Sequence, residues 1–152
     1  MQDFSKVILF QLSNEQYGVN IQQVRSIERL EGVTEVPQTA HFIKGVINLR
    51  GDITPLIDLK ERLNIGTTIQ TETTRVLIIQ VDMFQIGLIV DSATDVIDID
   101  HSIIEPAPEI ISGVTKKYVK GVAKLTDKIL ILLDLEQVLN LEEISQIQEI
   151  TN

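Results

Sequence analysis

The sequence predicts an all-β fold built from two related halves, with helices that are few and short. Three observations lead there. Val-, Ile- and Leu-rich runs of strand length recur along the chain, helical periodicity is scarce, and one half of the chain can be laid over the other.

Four runs read as strands: KVILFQL (6–12), RVLIIQV (75–81), FQIGLIV (84–90) and KILILLDL (128–135). Each is rich in β-branched or aliphatic residues and bounded by polar residues or Gly. Strands this short and this closely spaced suggest a sandwich or barrel. Residues 39–44 read as a turn and 58–63 as one short helix. A second helix starts at Asp134, where Leu135, Val138 and Leu139 stand at helical spacing and Ile144 and Ile147 extend the pattern through a tail over 134–152. The polar, Thr-rich stretch 64–74 is the best internal boundary. Residues 105–117, with Pro106, Pro108 and Gly113, read as a loop.

Residues 42–64 align without a gap on 118–140. Lys44, Gly45, Val46, Leu49, Ile53, Leu56, Asp58, Leu59, Leu63 and Asn64 meet identical residues, and Lys44 meets Lys120, an offset of 76. Residues 7–21 align on 76–90, with Val7, Gln11, Gln16 and Gly18 matched. The expected organisation is a single domain over 1–152 with repeats over about 7–64 and 76–140. Each repeat reads as strand, turn, strand, connection, strand, hairpin, strand, short helix, so that two like halves could make two small barrels packed together.

Duplication separates scaffold from function. Gly45 and Gly121, present in both copies, fit a bulge or a close backbone approach. Asp58 and Asp134 fit helix N-caps. Arg50 instead meets Thr126, Gly51 meets Asp127 and Asn48 meets Lys124. Arg50 is therefore special to the first half. The pattern puts it at a strand end, beside a hairpin turn around Gly51-Asp52. Its planar guanidinium suits a partner's carbonyls or carboxylates. Arg50-Gly51-Asp52 spells an adhesion tripeptide, which chance alone supplies in roughly a few per cent of chains this long.

Composition narrows the classes. The formal charge of −9 leaves no basic footprint for nucleic acid, and six aromatics give no stacking platform. With no cysteine there is neither a disulfide nor a cysteine-zinc site. The N-terminus does not read as a signal peptide, and the apolar runs fall far short of the ~20 residues that span a bilayer. The expectation is a cytoplasmic protein without membrane insertion. His41 and His101 lack metal spacing, and no phosphate loop, dinucleotide loop or nucleophile elbow is present. A calcium loop from Asp98 fails at its sixth position, where Ile103 replaces the required Gly. No catalytic set, metal or cofactor is expected, and the chain reads as a binding scaffold.

The run FIKGVINLRGDITPLIDL, preceded by YGVNIQQVRSI and followed by GLIVDSATDVIDI and PAPE, resembles the CheW-like domain family of bacterial chemotaxis, from about Phe4 to about Asn140. The resemblance implies two intertwined five-stranded barrels of SH3-like type. It also implies a non-catalytic adaptor, recruited to membrane-associated receptor arrays. Its partners would be the cytoplasmic hairpin tip of methyl-accepting chemoreceptors and the regulatory domain of the histidine kinase CheA. By position, Arg50, Ile21, Val24, Val90 and Asp91 would serve the receptor, whose helix would lie in an apolar groove. Ile110, with Glu109 beside it, would serve the kinase. Family members often carry Glu two residues after the position of Val24; here that residue is Ser26, with Glu28 nearby. Service in another signalling array, or an acidic β-barrel hydrolase, are the other readings of the same chain.

Overall fold

A computed structural model describes residues 6–36 and 41–140. The first half runs β1 (Lys6–Leu12), β2 (Glu15–Asn20), a 3-10 turn (Ile21–Gln23), β3 (Val24–Arg29), β4 (Ile43–Leu49), β5 (Asp52–Asp58) and α1 (Leu59–Arg62). The second runs β6 (Arg75–Val81), β7 (Phe84–Val90), β8 (Ser92–Asp98), a 3-10 turn (His101–Ile103), β9 (Ile104–Glu105), β10 (Ile110–Ile111), β11 (Val114–Thr115), a 3-10 turn (Lys116–Tyr118), β12 (Val119–Lys124), β13 (Ile129–Leu133) and α2 (Leu135–Val138).

The fold is all-β, two SH3-like barrels, and the barrels exchange hairpins. One sheet has the order β3-β6-β7-β5-β4, so the hairpin β6–β7 of the second half sits among three strands of the first. The other has the order β8-β1-β2-β13-β12-β9, with the hairpin β1–β2 of the first half among strands of the second. The borrowed hairpin joins each sheet through a parallel pairing, β5 with β7 and β13 with β2. The two barrels also close alike. After β3 the chain returns to β4, where Thr34 and Val46 exchange hydrogen bonds of 2.9 and 2.8 Å. After β8 it returns as β9, which pairs with β12.

This exchange explains why the strand runs are continuously apolar rather than alternating. Strands covered on both faces need apolar side chains at every position. In β1, Val7 and Leu9 pack within their own barrel, while Ile8, Phe10 and Leu12 join a cluster shared by the two barrels. In β6, Val76 and Ile78 pack inside, and Leu77, Ile79 and Val81 enter the shared cluster.

Two expected features shift. Each half holds a strand where the repeat reading has only a connection, β3 and β8. In β3 the less exposed positions are Val24, Ser26 and Glu28 while Ile27 is 43% exposed, so apolar character does not track burial. Residues 105–117 are partly ordered: Glu105 ends β9, and β10 and β11 form a two-pair ladder. The expected turn over 39–44 is described only from His41, which with Phe42 forms a turn before β4. The extension of the second helix through Ile144 and Ile147 lies outside the described residues.

Candidate functional site

The β4–β5 hairpin turns at Arg50-Gly51, one residue earlier than the pattern around Gly51-Asp52 implies, and Asp52 instead pairs with Leu49. Both turn residues have positive φ, +52° and +90°, the handedness that matches strand twist in a two-residue hairpin. Asn48 steadies the turn by accepting the Gly51 N–H on Oδ1 at 2.9 Å. Arg50 is thereby lifted from the sheet, with its side chain 71% exposed. Its Nη2 meets Glu28 Oε2 of β3 at 3.2 Å. Strands β3 and β4 are opposite ends of one sheet order, so this pair bridges the barrel's seam. Glu28 supplies an acid where Ser26 cannot. The Ser26 Oγ is buried without a hydrogen-bond partner among the described residues.

Ile21 opens the 3-10 turn that leads into β3, and Val24 follows it. Both are half-buried against the shared cluster. Asn20 caps that turn by accepting the Gln22 N–H at 2.9 Å. Arg50, Arg25, Ser26, Leu49 and Asp52 line one shallow depression, which places Arg50 beside the strand that Val24 begins. Val90 is fully buried and offers no surface to a partner. Asp91 is half-buried and engaged within the chain. Its Oδ2 accepts the Ser13 N–H at 2.6 Å and pairs with Lys60 Nζ at 3.0 Å, tying β7 to α1 and to the β1–β2 turn. These two positions hold the end of β7 against α1 and the β1–β2 turn, at the opposite end of the β1–β2 ladder from Ile21.

Glu109 and Ile110 lie elsewhere. Ile110 is 63% exposed on β10, and the Glu109 carbonyl accepts the Lys116 N–H at 2.8 Å. Both line a cleft together with Phe42, Arg62, Lys116 and Tyr118. This cleft shares no lining residue with the depression at Arg50.

The four scaffold positions have distinct local roles. The strand register shifts at Gly45 and again at Gly121. At Gly45, φ is +147° and a Cβ would stand 2.3 Å from the Thr34 carbonyl oxygen, on the seam of the barrel. Asp58 caps α1. It accepts Lys60 N–H at 3.1 Å, and its two oxygens take the Thr68 N–H and Oγ1–H at 2.8 Å each. Asp134 caps α2 through the Gln137 N–H at 3.3 Å.

One residue that sequence reasoning passed over holds the halves together. The Arg62 guanidinium lies 5.2 Å from the ring centres of both Phe42 and Tyr118, and its Nε donates to the Val138 carbonyl at 2.6 Å. By the repeat, Phe42 matches Tyr118 and Arg62 matches Val138. Arg62 thus bonds to its own repeat-mate between two matched rings. The signal was a cation where the other copy has an aliphatic residue.

Among the described residues no helix is long and apolar enough to cross a membrane, and no group of three His, Asp or Glu side chains could hold a metal ion. Residues 6–143 match the family model described as the CheW-like domain. The chain is 39% identical to "Chemotaxis protein CheW" of Bacillus subtilis over 90% of this chain and 88% of that one. It is 35% identical to "Chemotaxis protein CheW" of Klebsiella aerogenes, over 94% and 86%. Among solved structures, the scaffolding protein TtCheW from Thermoanaerobacter tengcongensis superposes with a TM-score of 0.83 at 36% identity, covering 94% of this chain and 92% of that one. With the exchanged barrels and the family motif running through the β4–β5 hairpin, the chain belongs to the CheW-like domain family.

Proposed function

We propose that this protein is a cytoplasmic, non-catalytic adaptor of bacterial chemotaxis that joins the hairpin tips of chemoreceptors to the regulatory domain of the histidine kinase CheA. The observation that carries this reading is the family match over residues 6–143. The geometry supports a two-sided adaptor. Arg50 and Ile110 are well exposed and border separate depressions. In this reading Arg50 meets the receptor tip by charge-assisted hydrogen bonds, with Ile21 and Val24 supplying the apolar edge beside it. Val90 and Asp91 contribute indirectly, from inside the fold, by fixing the end of β7 to α1 and the β1–β2 turn. Ile110 is the apolar anchor for the kinase domain and Glu109 its polar neighbour.

Co-purification with a receptor tip and a kinase regulatory domain tests the proposal. The wild-type chain should retain both partners. A chain carrying Arg50→Ala, Val24→Asp and Ile110→Asp together should lose them. Retention of both by that folded triple variant would remove these surfaces from consideration.

A further inference from the structure

We propose that Ile27, Arg29 and Arg75 form a docking surface for an acidic amphipathic helix of a partner protein. A carboxylate of the helix is shared by the two guanidiniums, and an aliphatic side chain beside it rests on Ile27. The duplicated fold supplies the reason. Carried on through β3 and β8, the repeat matches Arg29 with Asp98 and Arg75 with Lys6. In the barrel of β8, Lys6 stands opposite Asp98 and their side chains pair at 2.8 Å. In the barrel of β3, Arg75 stands opposite Arg29. Like charges directly opposite each other on antiparallel strands are destabilising. One barrel thus carries its own acid at this place, and the other presents a second cation instead.

The nearby acids leave this pair uncompensated. Strand β3 alternates, so Glu28 faces away from Arg29, and it holds Arg50. Glu72 gives Arg75 its main-chain carbonyl and Thr74 gives another, each accepting from Nη1 at 2.8 Å. Asp91, one residue past the Val90 that flanks Arg75 on β7, is held by Lys60 and the Ser13 N–H. Glu31 is exposed, two residues beyond Arg29. Among the described residues no carboxylate pairs with Arg29 or Arg75, and Nη2 and Nε of Arg75 donate to nothing. On a chain of formal charge −9 an acidic partner is repelled by most of the surface and attracted where cations face each other.

Ile27 supplies the apolar contact. It is 43% exposed and stands opposite Leu77 of the shared cluster. Ile27 and Arg29 share one face of β3, about 7 Å apart along the strand, and one turn of helix rises about 5.4 Å. A helix with a carboxylate one turn from an aliphatic residue therefore meets both. None of the three residues lines the depression at Arg50 or the cleft at Ile110, so this surface is distinct from both.

Titration of the isotope-labelled full chain with a helical peptide carrying Glu and Leu one turn apart tests the surface. The peptide should shift the amide signals of Ile27, Arg29 and Arg75. The shifts should fade at about 1 M salt, where the screening length is about 3 Å. The same peptide with Gln in place of Glu should bind at least about five-fold more weakly. Arg29→Asp gives Arg75 the in-chain acid that Asp98 gives Lys6. That variant should have a raised urea midpoint and at least about ten-fold weaker binding of the Glu peptide, whereas Arg29→Lys should stay within about three-fold of wild type. Absent shifts, shifts centred on another surface, equal binding of the two peptides, or a lowered midpoint or unchanged affinity in Arg29→Asp overturns the proposal. So does an equal response to inorganic phosphate at the same concentration, which would assign the pair to any small anion.

Discussion

Arg50 and Glu28 meet at 3.2 Å across the seam of one barrel, the arginine largely exposed and the glutamate mostly covered. Such a pair contributes little stability, about 0–1 kcal/mol. Its effect is to aim a long side chain while leaving other guanidinium donors open. Glu28→Gln should therefore leave the urea midpoint nearly unchanged and weaken receptor-tip binding several-fold. In an Arg50→Ala background it should add nothing further. Binding titrations of the four chains check this non-additivity.

The seam also depends on Gly45. Any side chain there meets the Thr34 carbonyl at a φ that L residues rarely adopt. Gly45→Ala should cost about 2–4 kcal/mol. At Gly121 a Cβ first meets the Ile104 methyl at 2.7 Å, then the Glu105 carbonyl at 3.0 Å, with no unfavourable φ. Gly121→Ala should cost less, and chemical denaturation of both variants gives the order.

Asp58 and Asp134 are repeat-mates with unequal work. Asp58 is 2% exposed and holds three hydrogen bonds, whereas Asp134 is half-exposed and caps one N–H. Asp58→Ala strands buried donors and should cost about 2–3 kcal/mol. Asp134→Ala loses a simple cap, about 1 kcal/mol. Equal losses in urea melts would contradict the asymmetry.

Tyr17 is fully buried, stacks on Phe10 at 5.9 Å, and its hydroxyl has no hydrogen-bond partner among the described residues. Burial first, and the Glu15 carboxylate second, push its phenol up from 10.0 to about 12. The folded state thus holds the proton more tightly than the unfolded one. The stability this group contributes is whole below about pH 10 and is lost as pH rises through about 12. Tyr17→Phe should be neutral to mildly stabilising at pH 7. Near pH 11 it should retain about 1 kcal/mol that the wild type has lost. Denaturant titrations at the two pH values read the difference directly.

Much of the scaffold was legible because burial on both faces writes itself as unbroken Val/Ile/Leu runs, as in β1, β6, β7 and β13. The capping aspartates and the bulge-prone glycines were legible because both copies repeat them. Strand β3 was not, since Ser26 and Glu28 occupy its covered positions and Ile27 its open one. Hairpin exchange leaves no mark on local pattern: β1–β2 would look the same in either barrel. At the candidate site, the exposure of Arg50 followed from its absence in the second repeat. Its pairing with Glu28 and the full burial of Val90 depend on how strands 20 to 60 residues apart are laid side by side, which spacing along the chain does not encode.

Separate receptor and kinase surfaces are the central claim, and calorimetric titration of two single variants tests it most directly. Arg50→Ala should weaken binding of a receptor hairpin tip by at least about five-fold, roughly 1 kcal/mol, and leave the kinase regulatory domain within about two-fold of wild type. Ile110→Asp should do the reverse. If both variants weaken the same partner, or if neither changes either affinity, the two-sided account is contradicted.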